Sequence, residues 1–406
     1  MVSGNKVHAP PKCIPLTFDQ TDSYQPGNYH LMESEFELQQ DLIHLNHAAV
    51  APWPRCTREA VEAFARENAT QGSLHYPEWV KKESQLRQLL AQLIHAPQAD
   101  DIALLKNTSE ALSVVAHGLT WQAGDNVVIS DQEFPSNRIV WESLQDRGVE
   151  VRQVDLTSSD SPEQALMQAC NSHTRLLAIS SVQYASGLRV NLATLGQFCR
   201  EQAILFCIDA IQSIGALEFD VNVVNADFVM ADGHKWMLGP EGLALFYSHK
   251  RARDQLSLHQ FGWHMVEQYE DFDRKDWQVA DTARRFECGS PNMLGIHALH
   301  ASVNLLLASG MATVEQRVLA NSKALFALIE SSANLECLTD MTSGRYAGIV
   351  VFRHMQYPSA HVYRYLMQRR VLCALRGGGV RFSPHFYTPA KLLQQAITLA
   401  DNCPPP

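Results

Sequence analysis

The chain has 406 residues, 46% of them hydrophobic and 19% charged, the composition of a globular protein long enough to predict two domains. Its net charge of -10 comes without a basic block, which sets nucleic acid aside as the main partner. No apolar run approaches a membrane span, Met1–Pro11 lacks the apolar centre of a signal peptide, and nine cysteines form no Cys-x-x-Cys pair, so reduced thiols in a cytoplasmic protein are expected.

Residues 1–44 are polar, proline-bearing and weakly periodic, and are expected to form an N-terminal arm packing with the smaller domain. Helical periodicity follows over Arg58–Ala69 and Glu83–Ile94, where Leu86, Leu89, Leu90, Leu93 and Ile94 line one face. From Leu104 to Tyr247 short apolar runs alternate with helical stretches. The predicted strands are Asn126–Ser130, Val149–Leu156, Arg175–Val182, Ala203–Asp209, Phe228–Met230 and Leu243–Tyr247. One intervening helix carries Leu192, Leu195, Phe198 and Cys199 on its apolar face. This alternation predicts an α/β domain over residues 45–291, a mostly parallel sheet flanked by helices that binds ligands at the carboxyl ends of its strands. After Pro291 the texture changes. Helices at Met293–Ala308, Val314–Ser331 and Ala360–Arg369 mix with strands near Leu335–Leu338, Ala347–Arg353, Leu372–Leu375 and Val380–Ser383, predicting a smaller α+β domain over 292–406.

Ala231-Asp232-Gly233-His234-Lys235-Trp236 follows a predicted strand and precedes the turn-rich Leu238-Gly239-Pro240-Glu241-Gly242. A lysine at the end of a buried strand, with glycines on both sides, can project its amine into a cleft, although a surface lysine after a core strand is the commoner case. Desolvation lowers the pKa of such an amine and leaves more of the neutral form that condenses with an aldehyde. Asp209 ends the most apolar strand, and Gln212 follows it by three residues. Lys106-Asn107-Thr108-Ser109-Glu110 opens a helix whose free N–H groups, with the Thr108 and Ser109 hydroxyls, would hold an anion. Arg381, on a predicted strand, can clamp a carboxylate through two parallel hydrogen bonds. His44 and His47 stand three apart with no cysteine or carboxylate at metal spacing, so no metal site is expected.

These segments, in this order between Asn46 and Tyr387, resemble the class V aminotransferase family of pyridoxal-5′-phosphate (PLP) enzymes, which includes cysteine desulfurases, kynureninases and isopenicillin epimerases. The resemblance implies the PLP-dependent transferase fold type I, with PLP as cofactor and Lys235 as the catalytic Schiff-base lysine. It implies Asp209 against the protonated pyridine nitrogen, Gln212 donating to the phenolic oxygen, and Thr108, Ser109 and His234 around the phosphate. Phe134, in Glu133-Phe134-Pro135-Ser136-Asn137, would stack on the ring. Arg381 would hold the substrate α-carboxylate, with His47 near the substrate pocket. Cys288-Gly289-Ser290-Pro291-Asn292 is similar to the family turn that reaches the neighbouring subunit's phosphate, so a homodimer with Ser290 working in trans is expected.

Departures from the desulfurase pattern are equally informative. Asp232 stands where desulfurases carry a phosphate-binding serine, and is expected to face elsewhere or to bond through water. Tyr184 falls where they have an asparagine. The segment before Arg381 is short, and its only cysteine, Cys373, lies in the apolar Val371-Leu372-Cys373-Ala374-Leu375, so no sulfur-accepting thiol is expected there. The implied protein is an enzyme acting on a small α-amino acid, by transamination or by β-elimination of the C–S lyase type. Desulfurase-like sulfur transfer and a non-catalytic PLP-fold binding protein are the alternatives. The intact Lys235, Asp209 and Arg381 speak against the second.

Overall fold

The structure, a computed structural model, describes residues 34–157 and 161–406. Residues 1–33 of the expected arm lie outside the described residues. The strands are β1 (Ile43–His44), β2 (Ile102–Leu105), β3 (Asn126–Ser130), β4 (Glu150–Val154), β5 (Thr174–Ser180), β6 (Leu205–Asp209), β7 (Phe228–Asp232), β8 (Ala244–Ser248), β9 (Leu335–Cys337), β10 (Val350–His354), β11 (Val371–Leu372), β12 (Ala374–Arg376) and β13 (Gly379–Phe382).

Strands β2 to β8 form one seven-stranded sheet in the order β2-β8-β7-β6-β5-β3-β4. Its neighbours pair in parallel except where β8 meets β7 and β2. The inner strands read as almost unbroken apolar runs because both faces of the sheet are covered. Along β5 and β7 successive residues enter opposite cores: Leu177, Ile179, Val229 and Ala231 join one cluster, Leu176, Ala178, Phe228 and Met230 the other. Each large side chain enclosed this way stabilises the fold by roughly 1.5–3 kcal/mol relative to exposure, more than strand propensity supplies. Asn126–Ser130 coincides with β3, and the other strands predicted before Tyr247 overlap β4 to β8. No strand is predicted at β2, whose four residues are too few to show a period.

The smaller sheet has the order β12-β13-β10-β9 and is antiparallel throughout. A separate parallel pair, β1 with β11, brings the chain in beside it. Helix Met293–Ser309, predicted as the start of the smaller domain, buries Ile296, Leu299, Val303 and Leu306 in the core of the larger sheet. It bends by 85° into Met311–Glu330. Among the described residues no single helix is long and apolar enough to cross a membrane.

The strand predicted at Leu372–Leu375 is interrupted at Cys373, because β11 pairs with β1 while β12 pairs with β13. Only Gly377 and Gly378 join β12 to β13, with φ of 60° and 77°. Left-handed backbone at both central positions is what a two-residue hairpin with the natural strand twist needs. A Cβ on Gly377 would lie 2.4 Å from the Ala185 carbonyl oxygen, whereas one on Gly378 would meet open space. Gly378→Ala is therefore expected to lower stability by about 1 kcal/mol, the cost of a left-handed alanine. Gly377→Ala should cost clearly more, and urea unfolding of the two variants checks the ranking. Equal losses would contradict the contact.

Candidate active site

The parallel strands end along one edge of the larger sheet, and the residues with chemistry sit there. Asp209 closes β6, Asp232 closes β7, Ser180 closes β5, and Glu133-Phe134 follow just after β3. Beyond Asp232 the chain turns at once. The Gly239 N–H bonds the Gly233 carbonyl at 2.8 Å and the Gly233 N–H bonds the Leu243 carbonyl at 2.9 Å, closing the loop that carries Lys235. Leu238 in this loop is fully buried with φ at 61°, a conformation costing about 1 kcal/mol that the surrounding packing must hold.

The Lys235 amine is largely buried, and burial lowers its pKa to about 8 against the opposing pull of Asp209. Its Nζ stands 5.6 Å from the centroid of the Phe134 ring. Phe134 is 41% exposed and meets Tyr184 edge-on at 5.1 Å, which leaves it accessible to a second ring. Asp209 is buried and accepts from the Ile211 N–H at 3.1 Å. Burial raises its pKa to about 7, with that N–H and Lys235 opposing. Desolvation thus outweighs the mutual attraction on both sides, and amine and acid each lean towards neutrality. A cation set against Asp209, such as a protonated ring nitrogen, would restore its charge.

Arg381, on β13, is only 3% exposed. Its Nη1 donates to the Tyr184 carbonyl at 2.6 Å, while its buried Nε has no partner. Burial, then the charge of Arg376, lowers its pKa to about 10, and its own charge acts on Lys235. A buried guanidinium short of an acceptor can take up an anion.

The phosphate end differs from expectation. Asp232 neither faces away nor needs a water: its Oδ1 accepts from the Thr108 N–H at 2.6 Å and from the Thr108 hydroxyl at 3.2 Å. The start of helix Thr108–Gly118 therefore already holds an anion, the protein's own. Ser109 is exposed, with its hydroxyl donating to Ser136 at 2.8 Å. His234 lies beside the same carboxylate, Nδ1 to Oδ2 3.5 Å, and that nitrogen has no hydrogen-bond partner. Burial, then the Lys235 charge, lowers its pKa to about 4, so it adds no cation near neutral pH.

Of three further candidate residues, His47 and Gln212 are bonded within the fold and Ser290 is exposed. His47 is fully buried, with Nδ1 2.8 Å from the Ser383 carbonyl and Nε2 2.6 Å from the Tyr387 hydroxyl, so it braces the fold and does not line a pocket. Gln212 is buried, accepting from the Trp236 indole at 2.8 Å and donating to the Ala48 carbonyl at 3.1 Å. One amide N–H is left over to meet a ligand. Ser290 is exposed, just ahead of helix Met293–Ser309.

Glu133 escaped the sequence reading. Its buried carboxylate accepts from the Ser130 hydroxyl, Asn137 amide, Ser180 N–H and hydroxyl and Gln183 amide, at 2.5 to 3.1 Å. It thereby ties the Phe134 segment to the end of β5, and its place immediately before the aromatic was the only signal. Elsewhere Glu83, His264 and Glu287 have ligand atoms within 4.8 Å of one another, yet Arg87 already binds both carboxylates.

The sequence profile described as Aminotransferase class-V matches residues 43–385. The chain belongs to this family. Among its relatives is a probable cysteine desulfurase of Methanothermobacter thermautotrophicus, 28% identical over 382 residues, covering 89% of this chain and 94% of the relative. A cysteine desulfurase of Yersinia pestis is 28% identical over 348 residues, 84% of each chain. The fold is similar to the apo cysteine desulfurase from Thermococcus onnurineus, with TM-score 0.81 and 21% identity over 94% of this chain and 98% of that one. It is similar also to the cystine C-S lyase C-DES in complex with its reaction product cysteine persulfide, with TM-score 0.84 and 21% identity over 90% and 99%.

If burial governs the Lys235 amine, it titrates well below an ordinary lysine. Competitive acetylation followed by peptide mapping should give Lys235 a half-titration near pH 8 in the cofactor-free protein, and a value near 10.5 would contradict its desolvation.

Proposed function

We propose that the protein is a PLP-dependent enzyme that acts on a small α-amino acid, removing the Cα proton and then eliminating a β-sulfur substituent. The carrying observation is the largely buried, neutral-leaning Lys235 amine, with the accessible Phe134 ring 5.6 Å away and the unpaired Arg381 charge acting on it. The residues at the ring end fit the cofactor: a neutral amine to condense with its aldehyde, Asp209 for its ring nitrogen and Phe134 for its face. Bound PLP supplies an electrophilic carbon and a ring that absorbs the electron density released at Cα.

The chain does the remainder. Arg381 takes the substrate carboxylate, using the Nε that lacks a partner, and so orients the Cα–H bond towards Lys235. The Lys235 amine, its pKa lowered to about 8, is matched to accept that proton near neutral pH. Asp209 keeps a proton at the ring nitrogen. Relatives named cysteine desulfurase support a cysteine-like substrate. Cys373 does not suit sulfur acceptance: it is buried, with its thiol pushed up to about 12, and the two-glycine hairpin after it leaves no loop to carry a thiol inward. Release of the sulfur with the leaving group follows. Exposed Phe261, Trp263, Phe272 and Trp277 precede the exposed Ser290, which supports a homodimer that covers them and brings Ser290 to the partner's site. The unpatterned cysteines support a cytoplasmic setting.

The test is to titrate PLP into the purified protein, follow its visible spectrum, and assay products from a panel containing cysteine and cystine. Ammonia and pyruvate formed with the cofactor regenerated support elimination. Conversion of the cofactor to its pyridoxamine form with an oxo acid makes the enzyme a transaminase. A spectrum no different from that of free PLP overturns the cofactor reading. Lys235→Ala should abolish turnover, and Arg381→Gln should lower kcat/KM by about 100-fold, chiefly through KM. An unchanged KM in Arg381→Gln would contradict the clamp.

A further inference from the structure

At the phosphate end of this site the Thr108 donors are already taken. Both hydrogen-bond donors of Thr108 converge on one oxygen of Asp232, and the Glu110 N–H in the same first turn bonds the Asn107 side chain at 2.9 Å. We propose that Asp232 is an internal anion at the cofactor-phosphate site, so that seating a phosphorylated cofactor requires its carboxylate to leave Thr108 or to take up a proton. This inference rests on the PLP reading above and deepens it.

The surrounding charges sharpen the conflict. Lys235 is the cation acting on Asp232, while Glu241 opposes it, and Asp232 in turn acts on Asp209. His234, beside the carboxylate, is neutral near pH 7, and Glu110 at the same helix end is bonded to the Lys106 N–H. Into this field a phosphate monoester with a second pKa of about 6 brings up to two further negative charges. The helix N-terminus favours one anion, and its nearest donors cannot serve two. Burial already raises the Asp232 pKa, so the carboxylate is poised to accept a proton when a second anion arrives. The sign follows from linkage. A phosphate raises that pKa further in the complex, a proton is taken up on binding, and affinity for PLP relative to pyridoxal falls as pH rises.

The experiment compares PLP with pyridoxal, which has the same ring and aldehyde but no phosphate. Dissociation constants are read from absorbance for the wild-type protein, Asp232→Asn and Asp232→Ser, between about pH 6 and pH 8, where the phosphate ionises. Asp232→Asn keeps an acceptor for Thr108 without the charge, and Asp232→Ser guards against a single variant that fails to fold. Both variants are expected to bind PLP about tenfold more tightly or better at the upper pH, with the gain shrinking at the lower, and to bind pyridoxal within about twofold of wild type. Weaker PLP binding in both variants, or equal shifts for PLP and pyridoxal, would overturn the inference and make Asp232 a brace of the phosphate cup. If no protein in the series changes the spectrum of free PLP, the cofactor reading fails and this inference with it.

Discussion

Taking an amine out of water is the constraint on which the rest of this structure depends. Lys235 can be a nucleophile near neutral pH only if its ammonium form is destabilised, and bulk solvent would prevent that. The seven-stranded sheet, covered on both faces, makes the low-polarity setting, and the parallel strands deliver Asp209, Asp232 and the Phe134 segment to the same edge. The tight Gly233–Gly239 loop and the left-handed Leu238 then turn the lysine back over that edge. The strain in the loop is tolerable because apolar packing around it outweighs a single unfavourable residue by a wide margin.

The site has buried ionisable groups that are not satisfied by one another. Lys235, Asp209 and Arg381 are all displaced towards neutrality, with burial as the leading cause in each case. Were they mutually paired, attraction would have shifted them the other way. The arrangement leaves a buried acid at one end and a buried guanidinium at the other, each without a full counter-charge from the chain. At Thr108 the reverse holds, since a position expected to be open to an anion is filled by Asp232. Fold and family leave this contrast open; it comes from the particular residues.

Much of this architecture was legible in the sequence, because buried parallel strands are unbroken apolar runs and their ends carry the polar residues. Asn126–Ser130 and the strands bearing Asp209 and Asp232 could be found that way. Lys235 and Arg381 stood out through the motifs around them, Gly233-His234-Lys235-Trp236 and Arg381-Phe382-Ser383, which resemble those of the class V family. What the sequence did not reveal is which donors face which acceptors. His47 spends both ring nitrogens on Ser383 and Tyr387, and Gln212 all but one amide N–H on Trp236 and Ala48, partners from distant parts of the chain. The meeting of Asp232 with Thr108 joins residues 124 apart, and Glu133 with Ser180 and Gln183 is a similar long-range contact. The break at Cys373 also depends on a remote event, the pairing of β1 with β11.

The most direct test of the central claim is to trap the lysine chemically. The protein is incubated with PLP, reduced with borohydride, digested, and mapped by mass spectrometry. The account predicts that the phosphopyridoxyl group is carried by the peptide containing Lys235, at close to one label per chain. Label spread over surface lysines, with Lys235 unmodified, would show that its amine is not the one the fold has prepared.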